Sequence, residues 1–232
     1  MNDMGSSAAD GSHSAAPVPR FRPPTAAEPG KLKSFKCRLA YMAATYLGKH
    51  VPVSLAGDGN KAKAAVLWEA CGARPGFNRY SGCQELRDAL VLFINVEAGG
   101  VNEFSEGGRV VTWFASPSRH ARSNDVLRLA HNATGLSVDP GAAATSGDSD
   151  DDVGNGDAEA DLGPQGFVIA PATVALACRV PGEPYVWCGS LELVAVALGR
   201  RPIKFTWRLR DWEALSVQPA FKQLLRAAKV TN

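Results

Sequence analysis

The densest mixture of aromatic, polar and basic side chains lies between residues 102 and 120. Trp113 and Phe114 end a hydrophobic run there, and Arg119 and His120 follow a few residues later. A flat ring can stack on an unpaired nucleic-acid base, and a cationic side chain can bind a phosphate. Ligand sites often lie where a strand passes into a loop, because the sheet holds the loop in place. The segment therefore predicts a ligand site, with one alternative left open: both rings belong to the core and Arg119 is solvated.

A second cluster combines basic and aromatic side chains towards the C-terminal end. Its members are Tyr185, Trp187, Arg200, Arg201, Lys204, Trp207, Arg208 and Arg210. Cations that neutralise phosphate, beside rings that stack on bases, are typical of proteins that bind single-stranded nucleic acid. Strict alternation, however, places Trp207 on the apolar face of a strand and Lys204 and Arg208 on the other face. We therefore expect Trp207 in the core, and the basic face is either a phosphate-contacting surface or an ordinary solvated sheet face.

Metal, cofactor and nucleophile chemistry find little support in the sequence. The five cysteines form no Cys-x-x-Cys pair and the histidines stand apart, so no metal site is expected. The sequence contains no Gly-x-Ser-x-Gly segment, phosphate loop or dinucleotide-binding fingerprint. We therefore expect no cofactor and favour binding over catalysis, with an enzyme that uses His120 or His131 as a third possibility.

The net charge of +2 averages two very different parts of the chain. Residues 139–163 hold seven Asp, one Glu and no Lys or Arg. The rest of the chain therefore has 25 basic and 15 acidic residues, a net charge of +10. A basic body of this kind favours a nucleic acid or an acidic protein as partner.

The sequence shows no sign of a membrane span or a secretory signal. No window approaches 18 uninterrupted apolar residues, and the first 30 residues lack an apolar run. Five cysteines, an odd number without a repeated spacing, fit reduced thiols. We therefore expect an intracellular protein of the cytoplasm or nucleus without a membrane partner, and the oligomeric state stays open.

Composition divides the chain into three parts. Residues 1–30 are rich in Ala, Ser, Gly and Pro and are expected to be a disordered tail. Residues 31–82 carry helical periodicity, and residues 83–232 are expected to form an α+β domain. A disordered acidic insertion is expected at about 137–164, because long surface insertions cost little closure entropy.

The periodicity of the remaining segments predicts the elements that hold the two clusters. Residues 90–96 form a continuous apolar run, which predicts a strand buried on both faces, and residues 109–114 predict a second strand. Residues 174–180 and 185–196 predict a hairpin around the Pro181–Pro184 turn, in which Cys178 and Cys188 lie on opposite faces. Residues 203–210 alternate strictly, and a closing helix is expected from about 211 to 229, with a split possible at Pro219. The predicted fold is α+β, with a mostly antiparallel, barrel-like sheet, N-terminal helices and a closing C-terminal helix.

Three short segments support a family resemblance. They are Leu-Ala-Cys-Arg-Val (176–180), Pro-Tyr-Val-Trp-Cys-Gly-Ser-Leu (184–191) and Arg-Pro-Ile-Lys-Phe-Thr-Trp-Arg-Leu (201–209), and they follow the Thr-Trp-Phe segment that ends at Phe114. Their order resembles an uncharacterised domain at the C-terminus of some bacterial helicase and restriction-type proteins. The architecture also resembles the SRA, EVE and PUA-like β-barrels that read modified or flipped bases. The resemblance implies a binding module whose ligand contacts lie near Asn102, Trp113, Ser116, Tyr185 and Arg201.

Two function hypotheses follow. The first is a non-catalytic nucleic-acid-associated module that recognises a modified or unpaired base, with Trp113 or Phe114 stacking on it. The residues expected to contact phosphate are Arg119, Arg200, Arg201, Lys204 and Arg208. The alternative is a protein-interaction or assembly module whose basic surface binds an acidic partner or the acidic segment of the chain itself.

Overall fold

The fold consists of one seven-stranded sheet with helices on both faces. The computed structural model describes residues 31–53, 59–97, 101–131 and 172–228, so the predicted tail at 1–30 and the predicted insertion at 137–164 lie outside the described residues. The helices described are α1 (Leu39–Tyr46), α2 (Gly59–Cys71), α3 (Asn124–His131), α4 (Trp212–Ser216) and α5 (Pro219–Ala228). The strands described are β1 (Cys83–Glu85), β2 (Ala89–Asn95), β3 (Phe104–Ser105), β4 (Val110–Phe114), β5 (Thr173–Arg179), β6 (Val186–Ala197) and β7 (Lys204–Leu209). No helix among these residues is long and apolar enough to cross a membrane.

The sheet is mixed and curls into a half-barrel, with the strand order β1-β2-β5-β6-β7-β4-β3. β2 and β5 pair in parallel, from Ala89 opposite Thr173 to Asn95 opposite Arg179. A parallel pair needs a long crossover, and here the chain forms β3, β4 and α3 before it returns as β5. The α+β class was predicted correctly, but the expectation of a mostly antiparallel sheet is corrected to a mixed one.

β6 joins the two halves of the sheet. Residues 186–190 pair with β5, and residues 191–197 pair with β7. The strand bends at Gly189, whose φ of +81° favours glycine. A Cβ there would also overlap the carboxylate of Asp211, which accepts a hydrogen bond of 3.0 Å from the Ser190 N–H. Glycine is therefore required where β6 passes from one half of the sheet to the other.

β2 is buried on both faces, as its apolar run predicted. Leu90, Leu92 and Ile94 belong to a core formed with α3, α4 and α5, called here the α3–α5 core. Val91 and Phe93 belong to a second core under α1 and α2, called here the α1/α2 core. The sheet therefore separates two cores, and β2 contributes to both.

β7 is buried on one face only, which confirms the predicted alternation. Phe205 and Trp207 are at most 1% exposed and stack with ring centroids 5.8 Å apart in the α3–α5 core. Lys204, Thr206 and Arg208 are partly exposed on the opposite face. The expectation that Trp207 is a core residue is thus confirmed.

The helices depart from the predicted pattern mainly at the N-terminal end. Residues 31–82 were expected to be helical from their start, but only a short 3₁₀ turn forms at Leu32–Ser34 before α1 starts at Leu39. The intervening residues bond to other segments: the Cys37 N–H donates to Asp88 Oδ1 at 2.7 Å and the Arg38 N–H to the Ala70 carbonyl at 2.7 Å. At the C-terminal end, the predicted helix divides into α4 and α5, and α5 starts at Pro219.

The predicted placement of Cys178 and Cys188 on opposite faces is wrong. Ala177 pairs with Trp187 and Leu176 with Gly189, so a bulge in β6 leaves Cys188 between two ladder pairs. A bulge re-aims the side chains around it, and both thiols lie in the α3–α5 core. Burial, with the neighbouring Cys188 thiol, raises the pKa of Cys178 well above its ordinary value. Both cysteines are free thiols.

Candidate nucleic-acid interface

A cleft of about 500 Å³ opens at the end of β4. Residues of the segments 78–83 and 113–119 form its two walls, and Asp125 of α3 also lines it. Four residues predicted from the sequence line it together: Trp113, Phe114, Ser116 and Arg119. We call this cavity the β4 cleft.

The sheet positions the wall at residues 113–119. Phe114 lies opposite Lys204 of β7, and the Ala115 N–H donates to the Ile203 carbonyl at 3.0 Å, so β4 is anchored up to the point where the cleft begins. The chain then turns, and the Arg119 N–H donates to the Ser116 carbonyl at 2.8 Å. The exposed Ser116 and Arg119 side chains are therefore presented from a short turn fixed to a rigid strand.

Trp113 forms the inner part of this wall rather than an open stacking face. It is 5% exposed, and its ring packs at 5.7 Å on Phe205. Phe114 points to the other face of the sheet and is partly exposed. The ring available to a ligand on this wall is therefore that of Phe114.

The opposite wall presents Tyr80, which the sequence reasoning missed. Tyr80 is 89% exposed, although it lies in a loop with many internal hydrogen bonds. The Tyr80 N–H donates to Asn78 Oδ1 at 3.0 Å, and the Ser81 hydroxyl donates to the Cys83 carbonyl at 2.6 Å. An ordered loop that holds a large ring in solvent offers a preorganised contact surface.

Lys63 of α2 anchors this loop through hydrogen bonds to its backbone. It is 7% exposed, and its ammonium group donates to the carbonyls of Arg79 and Ser81, both at 3.0 Å. Burial, with a smaller contribution from the charge of Arg179, lowers the pKa of Lys63 below its ordinary value. Burial of a lysine side chain costs free energy, because the charged ammonium group loses its contact with water. The two hydrogen bonds to the loop carbonyls hold the loop that carries Tyr80.

Gln84 of β1 provides a second anchor. Its side chain is 2% exposed, and the amide Nε2 donates to the carbonyls of Asn78 at 2.7 Å and Ser81 at 3.0 Å. The Ser81 carbonyl therefore accepts from both Lys63 and Gln84. No local sequence pattern signals these contacts, because the two side chains reach the loop from different elements.

One ion pair lines the cleft, and two more lie beside it. Arg119 Nε lies 3.0 Å from Asp125 Oδ2, and Glu85 pairs with Lys33 at 2.5 Å and with Arg128 of α3. Burial by itself raises the pKa of Glu85, but hydrogen bonds from these two cations hold it below its ordinary value. The network joins α3 and the N-terminal 3₁₀ turn to β1.

Cys83 lies among these charged groups. Burial, together with the carboxylates of Asp125 and Glu85, raises the pKa of its thiol well above the ordinary value. This environment disfavours the thiolate form of Cys83.

A second cavity of about 410 Å³, called here the side chamber, adjoins the β4 cleft. Residues 31–33, 76–78 and 83–85 contribute to its lining. The residues that line both cavities are Asn78, Ser81, Cys83, Arg119 and Asp125.

The other predicted phosphate contacts differ in position. Arg200 and Arg201 are exposed in the turn between β6 and β7, next to the end of β7 that carries Lys204. Lys204 lies opposite Phe114, so the three cations belong to the same end of the sheet as the cleft. Arg208 lies towards the other end of β7, 3.8 Å from the Glu192 carboxylate.

Two predicted ligand residues lie outside the β4 cleft. Tyr185 is 3% exposed in the α1/α2 core. The centroid of its ring lies 5.0 Å from the ring centroid of Phe93 and 5.0 Å from Cζ of the Arg179 guanidinium. Asn102 precedes β3, and its Oδ1 has no hydrogen-bond partner. We include neither residue in the site proposed below.

The described residues offer few groups for metal binding or acid–base chemistry. They contain no group of three or more His, Cys, Asp or Glu side chains that could hold a metal ion. Within the described ranges, no histidine lines either cavity. The cleft combines the exposed ring of Tyr80, the partly exposed ring of Phe114, serine hydroxyl groups and the guanidinium of Arg119, and further cations lie in the adjoining turn and strand. These groups suit a flat ligand that carries negative charge.

Comparison of the chain with protein-family models, with curated proteins and with solved structures gives no match.

Proposed function

We propose that the protein is a non-catalytic nucleic-acid-binding module that holds an unpaired or modified base in the β4 cleft. One observation carries the proposal. Residues 113–119, chosen from the sequence for base and phosphate contact, form one wall of a cleft whose other wall presents Tyr80, 89% exposed on an anchored loop. A base that enters this cleft would stack on Tyr80 or Phe114, and each such contact stabilises a complex by about 1–3 kcal/mol.

The cations near the cleft support phosphate contact. Arg119 lines the cleft, and Lys204 lies opposite Phe114 at its edge. Arg200 and Arg201 are exposed in the adjoining turn. Strand phosphates on either side of the bound base would then meet cations, which gives a salt-dependent affinity.

The charge of the described residues supports the same partner. These residues hold 22 Lys and Arg against 11 Asp and Glu, a net charge of +11. A positive surface attracts nucleic acid over long distances and raises the rate of association. The disfavoured thiolate of Cys83 fits a binding site better than a covalent catalyst.

Fluorescence anisotropy with labelled single-stranded DNA, single-stranded RNA and duplex DNA, across a salt series, tests the proposal. We expect the single strands to bind more tightly than the duplex, with an affinity that falls as salt rises. Tyr80→Ala weakens binding about tenfold, which corresponds to about 1.4 kcal/mol, and Tyr80→Phe retains it because the ring is kept. Strands that contain a methylated cytosine form a parallel series that tests recognition of a modified base.

Two variants complete this experiment. The double variant Arg201→Ala/Lys204→Ala reduces the salt dependence, because two phosphate contacts are lost. Lys222→Ala, which removes an exposed cation on α5, is the matched control and leaves binding unchanged. Binding that is absent at low salt, or that is insensitive to both the Tyr80 and the double variant, overturns the proposal.

A second candidate function is favoured by the separation of charge along the chain. Residues 139–163 carry eight carboxylates and no cation, opposite in sign to the described residues. The basic surface would then bind an acidic protein segment. A synthetic peptide of residues 139–163, titrated against the chain, distinguishes the two candidates: this function requires saturable binding of the peptide by a chain that binds none of the nucleic acids.

A further inference from the structure

We infer that the side chamber binds the nucleotide adjacent to the one in the β4 cleft, so that the complete site takes a single strand of at least two nucleotides. This inference rests on the proposed function and extends it from one base to a track along the strand. It adds residues 31–33 and 76–77, which lie outside the β4 cleft, to the binding surface.

The two cavities adjoin. Asn78, Ser81, Cys83, Arg119 and Asp125 line both, so a strand that occupies one cavity lies next to the other. The side chamber, at about 410 Å³, is similar in size to the cleft of about 500 Å³. Both volumes lie within the range of about 300–1,000 Å³ that small-molecule sites occupy.

The far wall of the side chamber is fixed to the body of the protein. Lys31 forms a parallel bridge with Gly76, and the carbonyl of Lys31 accepts hydrogen bonds from the N–H and the hydroxyl of Ser34, at 2.9 and 2.7 Å. Phe77 follows the bridge and is partly exposed, with one side packed on the α1/α2 core. A ring held in this way suits the stacking contact that a second base requires.

The charge of the side chamber suits a phosphate. Lys31 and Lys33 are exposed at its mouth, and Arg119 lies in the wall shared with the β4 cleft. The two carboxylates in the lining, Glu85 and Asp125, are both paired with cations. The lining therefore holds three cations against two carboxylates, and Arg128, outside the lining, also pairs with Glu85. A phosphate between the cavities would lie near this excess of positive charge.

Two neighbouring nucleotides of one strand bind cooperatively. Once the first nucleotide is bound in the β4 cleft, the second is held at a high effective concentration beside the side chamber. The affinity should therefore rise steeply between a mononucleotide and a short oligonucleotide. The rise should depend on Lys31, which lines the side chamber and not the β4 cleft.

The test is a length series of thymidine monophosphate and oligothymidylates of two, four and eight nucleotides, repeated with the uridine series, bound to the full chain by isothermal titration calorimetry. We expect the dinucleotide to bind at least about tenfold more tightly than the mononucleotide. Lys31→Ala weakens binding of the octanucleotide about threefold to tenfold and lowers its salt slope by about one. Lys31→Glu weakens the octanucleotide further, and Lys222→Ala is the matched control on α5.

The outcomes separate this inference from the proposed function. Equal affinity for the mononucleotide and the octanucleotide, or octanucleotide binding that is unchanged in both Lys31 variants, overturns the two-nucleotide track and leaves base binding in the β4 cleft intact. Binding of none of the ligands by the unaltered chain overturns both. Circular dichroism of each variant confirms that the fold is retained.

Discussion

β2 and β7 lie in the same sheet but meet different surroundings. Along β2, six of the seven residues are buried, because helices cover both faces of the sheet there. Along β7, buried Phe205, Trp207 and Leu209 alternate with partly exposed Lys204, Thr206 and Arg208. We call the part of the sheet around β2, which helices cover on both faces, the closed half, and the part around β7, which has one partly exposed face, the open half. The closed half therefore contributes mainly to stability, and the open half can present polar groups to a partner.

The β4 cleft takes one wall from each of these two halves. One wall continues β4, which pairs with β7 in the open half, and the other wall leads into β1, which pairs with β2 in the closed half. Tyr80 is held by Lys63 and Gln84 from the closed half, while Phe114 and Lys204 come from the open half. Four substitutions, described from the largest expected effect to the smallest, test this division.

The largest effect is expected in β2. Leu92→Ala removes a fully buried side chain from the α3–α5 core and should lower the free energy of unfolding by about 2–5 kcal/mol. Thr206→Ala on the open face of β7 should change it by about 0.5 kcal/mol or less. Urea denaturation of both variants measures the difference. Similar losses at the two positions would contradict the division of the sheet.

The next effect concerns Glu85, which joins β1 to α3 and to the N-terminal 3₁₀ turn. Its pKa is below the ordinary value in the folded state, so it contributes stability above the pKa of an unfolded glutamate. That contribution is lost as the pH falls through the lower, folded-state pKa. Glu85→Gln should lower the free energy of unfolding at pH 7 by about 1–3 kcal/mol and flatten its fall in acid.

Urea denaturation at several pH values between 7 and about 3 provides the measurement. Glu192→Gln is the control, because Glu192 is about half exposed and 3.8 Å from Arg208. Parallel pH profiles for the unaltered chain and Glu85→Gln would show that the Glu85 ion pairs do not stabilise the fold.

A smaller effect on stability, with a larger one on binding, is expected at Lys63. Lys63→Met removes two hydrogen bonds to the loop but also a buried charge, and these changes oppose each other. The free energy of unfolding should change by about 1 kcal/mol or less. Amide hydrogen exchange at Tyr80 and Ser81 should become faster, and oligonucleotide affinity should fall about threefold to tenfold.

Lys61→Met, at an exposed position two residues earlier on α2, is the control for this variant. Unchanged exchange in the loop and unchanged affinity in Lys63→Met would show that Lys63 does not position Tyr80.

The smallest effect on stability is expected for Lys204→Ala in β7. Its side chain lies on the partly exposed face, so the free energy of unfolding should change by about 0.5 kcal/mol or less. The slope of log affinity against log salt should fall by about one, because one phosphate contact is lost. Fluorescence anisotropy across a salt series, with Lys222→Ala as the control, measures this slope. An equal slope in the two variants would show that Lys204 does not contact phosphate.

The sequence predicted those parts of the fold that depend on local periodicity. The apolar run of β2 and the alternation of β7 both appear in the structure, as does the split before Pro219. The parallel pairing of β2 with β5 was not predictable in this way, because it joins strands separated by a long crossover. The bulge at Cys188 was not predictable from alternation either. One extra residue in β6 shifts every side chain before it to the other face of the sheet.

The candidate site was predictable only where one segment carried it. Trp113, Phe114, Ser116 and Arg119 are close in sequence, and they line one cleft. Tyr80 was missed because its loop resembles any turn rich in Gly and Pro. Its significance depends on Lys63 and Gln84, and only the tertiary structure brings these side chains to the loop.

Ultraviolet crosslinking gives the most direct test of nucleic-acid binding in the β4 cleft. A single strand that carries 5-bromouracil is irradiated with the full chain, and tryptic peptides with a nucleotide adduct are identified by mass spectrometry. The account predicts adducts on the peptides Tyr80–Arg87 and Val110–Arg119, which contain the two walls of the cleft. Adducts confined to other peptides, or no adduct at low salt, would contradict it.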